Sequence, residues 1–318
     1  MRVEIVCATF NGASFVRDFL QSVEGQSHAD WRLWIRDDGS SDETVEIVRE
    51  RCTRDRRVKL LSVANANDGL GVARSFAWLL ERLPDDAGHV MFADQDDVWR
   101  PDKIERTFTG MRVAESKFGE RVPLLVHTDL TVTDASLREL HPSFWTYSRI
   151  RPEPVSLRRV ISHNVATGST IMMNRALVTR VGVPPADIAM HDWWCVCVAA
   201  AFGRVVALHE STILYRQHTA NAVGARDKQL TLRRLPGAIL ARRNTTAAFR
   251  RDLDTTARQA RAFLARYGSD LRDADRRFLA AYARIPTRPF VRRKIDLLRL
   301  RIHPDDGMLH ALGVLLRG

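Results

Sequence analysis

Cysteine is scarce. Four in 318 residues cannot supply the disulfide framework of a small secreted scaffold, and their settings suit reduced thiols. Cys7 falls in an expected strand and Cys52 at an expected helix end. Cys195 and Cys197 stand in the apolar run WWCVCVAAAF. Two positions apart on a helix they point in different directions and cannot chelate one metal. Long apolar runs are also missing. The longest uncharged one, Trp193 to Phe202, is about half of the roughly 18 residues a membrane span needs. No signal peptide is legible after Met1, so a cytosolic protein is expected. No internal repeat or low-complexity segment appears. The first strand is followed by NGASFV, not by Gly-x-Gly-x-x-Gly, which excludes a dinucleotide-binding fingerprint.

What is present is a core and a strong charge bias. The chain is 45% hydrophobic and 27% charged, enough to bury a substantial interior. Its net charge of +11 favours polyanionic partners: nucleic acid, anionic lipid headgroups or phosphorylated substrates. The arginines crowd into the last third, in LRRLPGAILARRN, FRRDL and FVRRKIDLLRLRIH, and the acidic clusters lie before it. No nucleic-acid motif accompanies the basic region, and its arginines are not interleaved with aromatics as a stacking platform requires. Nucleic acid is therefore not expected as a partner.

Two patterns alternate over residues 1 to about 130. VEIVCATF (3–10), WRLWIRDD (31–38), VKLLSV (58–63), HVMFAD (89–94) and PLLVHTDL (123–130) are short, apolar or β-branched, and read as strands. Helical spacing fills Ser14 to Gln26, Ser41 to Cys52, Gly71 to Arg82 and Pro101 to Phe118. Ser41 or Asp42 suits the cap of the second helix, and Pro101 with Asp102 a first helical turn. This alternation predicts βαβ units and a mostly parallel sheet. Ligands of such sheets sit at the carboxyl ends of the strands. Further along, 167–178 reads as a strand and a helix, 190–203 as a helix closed by Gly203, and 205–218 as two strands or a hairpin. From about Asp227 the pattern is helical and Arg-rich, broken by Pro236, Pro286, Pro289 and Pro304.

The strand ends carry the chemistry. They are Thr9-Phe10-Asn11-Gly12, Asp37-Asp38-Gly39-Ser40 and Asp94-Gln95-Asp96-Asp97. Asp94 and Asp96 alternate at a strand end and can converge. Hard oxygen ligands of this kind suit Mg²⁺ or Mn²⁺; a solvated turn with capping acids is the competing reading, and it fits Asp97 well. For Asp37-Asp38 the alternatives are a ribose or base contact and ordinary turn chemistry around Gly39.

ATFNG, RDDGSSD, NDGLGVAR and ADQDDVWRPD, in this order, resemble family 2 glycosyltransferases with the GT-A fold, a Rossmann-like nucleotide-diphospho-sugar transferase fold. TGSTIMMN, MHDWW and YRQH resemble the bacterial rhamnosyltransferase-like branch. The resemblance covers roughly residues 1 to 225. It implies that Thr9 and Asn11 line the nucleotide pocket, that Asp38 receives the pyrimidine base, and that Arg74 is a basic position near the nucleotide. It implies that Asp96 binds a divalent cation directly and that Asp94 holds ribose or a metal-bound water. Asp192 matches the family's general base, a role a carboxylate can fill towards a sugar hydroxyl; helix capping is its alternative. His191 stands where many relatives carry Glu.

Other positions keep two readings. Trp193 and Trp194 can floor an acceptor sugar, or one of them can pack in the core. Gly168 can admit a sugar to the backbone or serve a turn. Arg216 and His218 can reach the diphosphate and the metal, or end a solvated strand; the Gln-x-x-Arg-Trp signature of processive relatives is absent. VRRKIDLLRL (291–300) has an apolar face of Val291, Ile295, Leu298 and Leu297 against Arg292, Arg293, Lys294 and Arg299. That pattern fits an anionic membrane surface or packing on its own domain.

The expected architecture is α/β: a GT-A domain over 1–225, with a donor half (1–130) and an acceptor half (131–225), and a helical basic region over 226–318. The expected activity is inverting, metal-dependent hexosyl transfer from a nucleotide diphosphate-sugar, dTDP-L-rhamnose foremost, to a glycan acceptor of the lipid-linked, cell-envelope kind. Mg²⁺ or Mn²⁺ is the expected cofactor. A galactosyl- or glucosyltransferase, and a non-catalytic polyanion binder, are the alternatives.

Overall fold

The structure, a computed structural model, describes residues 1–65, 68–218 and 238–300. The boundary expected at 225/226, and Pro236 and Pro304, lie outside the described residues.

The N-terminal alternation takes the form β1 (Val3–Thr9), α1 (Val16–Glu24), β2 (Trp31–Asp37), α2 (Thr44–Arg54), β3 (Val58–Val63), α3 (Val72–Glu81) and β4 (His89–Asp94). A two-residue β5 (Val98–Trp99), α4 (Lys103–Phe118), β6 (Leu124–Thr133) and β7 (Glu139–His141) follow. Short helices α5 (Phe144–Tyr147) and α6 (Leu157–Val160) lead to a 3-10 turn at Gly168–Thr170, β8 (Ile171–Asn174) and α7 (Arg175–Val181). Then come α8 (His191–Phe202), β9 (Arg204–Arg216), α9 (Ala238–Tyr267), α10 (Asp273–Ala283) and α11 (Phe290–Arg299).

One sheet organises these elements, in the order β3-β2-β1-β4-β8-β6-β9-β5, with β7 on β6. From β3 to β4 every pairing is parallel. Beyond β4 the sheet turns mixed: β8 runs antiparallel to both β4 and β6, and β9 runs parallel to β6. The stretch read as two strands or a hairpin is one long strand, β9. Its register against β6 slips around Thr128 and Asp129, so irregular pairing bends the strand where a turn was expected.

Strand periodicity divides the interior in two. Ile5, Cys7, Met91, Ala93 and Val126 point to the core under α1, α2 and α4. Val6, Val90, Phe92 and Leu125 point to the core under α3, α7 and α8. Cys7, Cys195 and Cys197 are buried free thiols, as their settings imply. Gly203 closes α8 because Pro123 passes too close for a side chain: a Cβ there would lie 1.7 Å from the Pro123 carbonyl oxygen.

The Arg-rich helices join the second core. Leu253, Ala260, Phe263 and Tyr267 of α9 and Phe278, Leu279 and Tyr282 of α10 pack into the cluster that holds α8. Trp194 meets Phe263 with ring centroids 5.2 Å apart. On α11 the expected apolar face divides: Leu297 is buried, whereas Val291, Ile295 and Leu298 are exposed.

If α9 supports α8, Phe263→Ala should destabilise the whole chain by about 3–5 kcal/mol. Urea unfolding followed by circular dichroism should show one shifted transition. An unchanged midpoint would detach α9 from this core.

Candidate active site

The loops after β1 and β2 are fastened by one buried carboxylate. Asp37 Oδ1 accepts from the Gly39 and Ser40 backbone N–H groups at 3.0 and 2.8 Å. Its Oδ2 accepts from Thr9 Oγ1 at 2.8 Å and Ser40 Oγ at 2.7 Å. Ser40 Oγ in turn accepts from the Asn11 N–H, and Asn11 Oδ1 accepts from the Ser41 N–H. Thr9 and Asn11 therefore shape the rim between these strands, and the Thr9 hydroxyl is spent on Asp37. Asn11 has a left-handed backbone, φ 45°, which asparagine tolerates better than most residues.

Asp38 is held from four sides. Its carboxylate accepts from the Leu70 and Gly71 N–H groups at 2.8 and 2.7 Å, from Ser75 Oγ at 3.0 Å, and from Arg36. These donors outweigh its partial burial and hold its pKa below the usual carboxylate range. In this state its hydrogen-bonding capacity goes largely to the loop that opens α3. Arg74 is exposed in the first turn of α3.

At the end of β4 the acids separate into roles. Asp97 is fully buried, accepting from Ser169 Oγ at 3.0 Å. Burial, and then the neighbouring Asp96 and Asp94, push its carboxyl well up, and its contact with Ser169 makes it a structural anchor. Lys103 is buried nearby over the Trp99 ring, and burial lowers its ammonium to about 7. Asp94 and Asp96 stay partly open. Loss of water and then the charges of Asp96 and Asp192 raise Asp94 to about 7. Gln95, between them, clamps Phe10: its Oε1 accepts from the Phe10 N–H at 3.0 Å and its Nε2 donates to the Phe10 carbonyl at 2.8 Å. Gly12 is required beneath this clamp, since a Cβ there would stand 2.2 Å from Gln95 Oε1.

Asp192 lies in the first turn of α8, buried beside Gly168. It accepts from the Trp193 N–H at 2.6 Å, from Asn164 Nδ2 at 3.3 Å, and from the Gly168 N–H. Burial nevertheless dominates and lifts it to about 6. A Cβ on Gly168 would meet the Asp192 Cβ at 3.4 Å, so the glycine allows the 3-10 turn to seat against the acid.

His218 and Arg216 arrive from β9. His218 Nε2 lies 2.8 Å from Asp96 Oδ2, and its ring stacks on Phe15 at 4.4 Å. The Arg216 guanidinium donates to the Asp96 and Ala135 carbonyls and to Asp18 at 3.0, 2.7 and 2.8 Å. Arg216 therefore props the Asp96 turn from behind, where the sequence pointed it at a diphosphate; it is buried and its donors are committed.

Two further expectations change. Trp194 belongs to the core, fully buried against Phe263 and Tyr267, because α8 turns it away from Trp193. His191 is not open to an acceptor either. It is buried, stacked on Phe76 at 3.8 Å with Phe92 edge-on, and burial lowers its imidazole to about 3, so it is neutral. Trp193 remains half-buried, its indole N–H donating to the Val160 carbonyl. Phe15, Asp18 and Asn164 had no functional signal in the sequence, since only the fold brings them here, and Ser169 lay unassigned within TGSTIMMN.

A divalent cation fits the chemistry of this donor set. Asp96 and His218 already meet, and a cation would offset both the burial of Asp94 and the lesser repulsion it feels from Asp96 and Asp192. Among the described residues no three His, Cys, Asp or Glu side chains form a ready-made metal cluster. A site with few protein ligands, left open to phosphate oxygens, is the usual Mg²⁺ arrangement.

Residues 4–116 match the family described as glycosyl transferase family 2. Over those residues the chain is similar to family 2 glycosyltransferases. It is 26% identical over 182 residues to the putative teichuronic acid biosynthesis glycosyltransferase TuaG of Bacillus subtilis, covering 57% of this chain and 66% of that one. It is 23% identical over 228 residues to the dTDP-rhamnosyl transferase RfbG of Shigella flexneri, covering 69% of this chain and 73% of that one. The GT-A fold is shared with S. aureus TarS residues 1–349 in complex with UDP-GlcNAc, at a TM-score of 0.56 and 15% identity over 99% of this chain and 81% of that one. A mannosyltransferase from Pyrobaculum calidifontis in complex with GDP-Man and Mn²⁺ aligns at a TM-score of 0.50 and 15% identity, over 99% of this chain and 78% of that one.

The raised Asp192 makes a stability prediction. An unfolded Asp ionises near 3.9, so the folded form loses stability as pH rises from about 4 through about 6. Asp192→Asn removes that cost. The variant should exceed the parent by on the order of 1–3 kcal/mol near pH 7 and match it near pH 4, read by urea unfolding. A constant difference across pH would refute the raised acid.

Proposed function

We infer that this chain is an inverting, metal-dependent glycosyltransferase that moves a sugar from a nucleotide diphosphate donor to a hydroxyl of a cell-envelope glycan. One observation carries the reading: Asp94 feels the charges of both Asp96 and Asp192. The same 3-10 turn touches both groups, Ser169 donating to Asp97 beside Asp96 and Gly168 to Asp192, so the acids at the strand end and the acid on α8 are neighbours.

The chain's own groups divide the work. The loops fastened by Asp37 form the nucleotide side. Asp96, His218 and Asp94 would hold Mg²⁺ or Mn²⁺. The bound ion supplies positive charge against the leaving diphosphate. Asp192, ionised above about pH 6, takes the proton of the acceptor hydroxyl as that oxygen attacks the anomeric carbon. The bond to the nucleoside diphosphate breaks as the new one forms, and attack from the opposite face inverts the configuration. Trp193, half-buried next to the base, borders the acceptor.

The donor assigned is dTDP-L-rhamnose, supported by the RfbG likeness. Galactosyl or glucosyl donors are the alternative. Incubated with a panel of sugar nucleotides and Mg²⁺, the protein should release nucleoside diphosphate from dTDP-rhamnose and stop when EDTA is added. Asp192→Asn should lose about 10²–10⁴-fold in turnover while keeping donor affinity. Equal turnover in that variant removes the base assignment; turnover undiminished by chelator removes the metal.

The exposed face of α11 supports a further contact. Val291, Ile295 and Leu298 form an apolar strip flanked by Lys294 on one side and by Arg292 and Arg299 on the other. That arrangement complements an anionic bilayer surface, where a lipid-linked acceptor would reside. The protein should sediment with phosphatidylglycerol vesicles and not with phosphatidylcholine vesicles, and Val291→Ser with Ile295→Ser should abolish it. Binding unaffected by that pair would place the contact elsewhere.

A further inference from the structure

A second concavity lies outside the acids just described. It measures about 680 Å³ and lies among the segment 142–152, β6 and β9, with Asp129, Ser143, Trp145, Arg149, Arg151 and His209 in its wall. That volume accommodates one or two sugar rings.

Its exposed charge is basic, from Arg149 and Arg151. The single acid in the wall is buried and turned to its own donors: Asp129 Oδ1 accepts from the Leu130 and Trp145 N–H groups at 2.8 and 3.1 Å, and Oδ2 accepts from Ser143 Oγ. The exposed side chains of Arg149 and Arg151 have no carboxylate partner among the described residues. Arg149 is also held where a glycine would be the unstrained choice. Its backbone is left-handed, φ 55°, at the close of α5, with its N–H donating to the Thr146 carbonyl. An arginine in that conformation costs free energy that a turn alone does not require. Arg151 is fixed from below, since Arg159 donates to the Arg151 and Pro154 carbonyls. The Trp145 ring, edge-on to His209 at 5.4 Å, gives the cavity an apolar wall of the kind that packs against sugars.

Register places this cavity beside the reacting acids. Met91 of β4 and Val126 of β6 both pair with Met172 of β8. Asp94 and Asp129 each lie three residues further along parallel-running strands. They therefore stand at one level of the sheet, past the start of β8, with the 3-10 turn Gly168–Thr170 packed on both β4 and β6 there.

We propose that this cavity is an acceptor subsite for an anionic group, a phosphate or a uronate carboxylate, borne one or two sugar units from the hydroxyl that reacts. Arg149 and Arg151 pair with the anion and Trp145 packs against the ring that carries it. The proposal rests on the transferase reading and extends it to the acceptor's charge.

The test uses the full chain without donor or divalent ion. Inorganic phosphate and D-glucuronate are titrated separately while the indole N–H resonance of Trp145 is followed, with chloride at matched ionic strength as the control. A saturable shift with either anion is expected, the tighter anion naming the acceptor's charge. Arg149→Gln with Arg151→Gln should weaken it about tenfold. An unmoved Trp145, a chloride response of equal size, or identical curves in the double variant would overturn the subsite. Nucleoside diphosphate release from the donor, measured on the unsubstituted protein without acceptor, reads the transferase assignment separately.

Discussion

Repulsion among carboxylates is the constraint around which this molecule is arranged. Asp94 meets the fields of Asp96 and Asp192 from two directions, and a fold that gathers such charges must offset them. It does so locally. Asp97 is withdrawn into the interior where Ser169 donates to it, His218 faces Asp96, and the α8 N-terminus and Asn164 donate to Asp192. What is left uncompensated is concentrated at Asp94, on the open side.

Positioning that charge requires support from distant segments. Asp192 depends on α8, and α8 is packed between the sheet and the Arg-rich helices α9 and α10. Asp96 depends on Arg216, which ties its carbonyl to Asp18, 198 residues from Arg216 in sequence. The basic C-terminal residues are thus partly scaffolding, with their apolar neighbours inside and their charges at the surface.

Much of this could be read in the sequence because it depends on local pattern. Strand periodicity, the acids at strand ends and Gly203 are short-range signals, and the elements over 3–118 fall within a few residues of expectation. The site's grouping was legible only through resemblance, since nothing in spacing alone brings residue 192 to residue 94. Side-chain direction was harder still. Arg216 and His218 alternate on one strand and seemed equivalent, yet one turns inward to carbonyls and the other to a carboxylate. Trp193 and Trp194 are adjacent, and only the packing of α9, a long-range fact, decides which is core. His191 looked like a polar site residue; a neutral imidazole stacked on Phe76 packs as an aromatic.

The Gln95 clamp has a mechanical meaning. Two short hydrogen bonds weld the loop after β1 to the turn that carries Asp94 and Asp96, with Gly12 pressed flat beneath them. The lip that would cradle a nucleoside and the lip that would grip its phosphates are thereby a single rigid piece, so any opening or closing of the cleft must hinge on the opposite wall, where Gly168 and α8 stand.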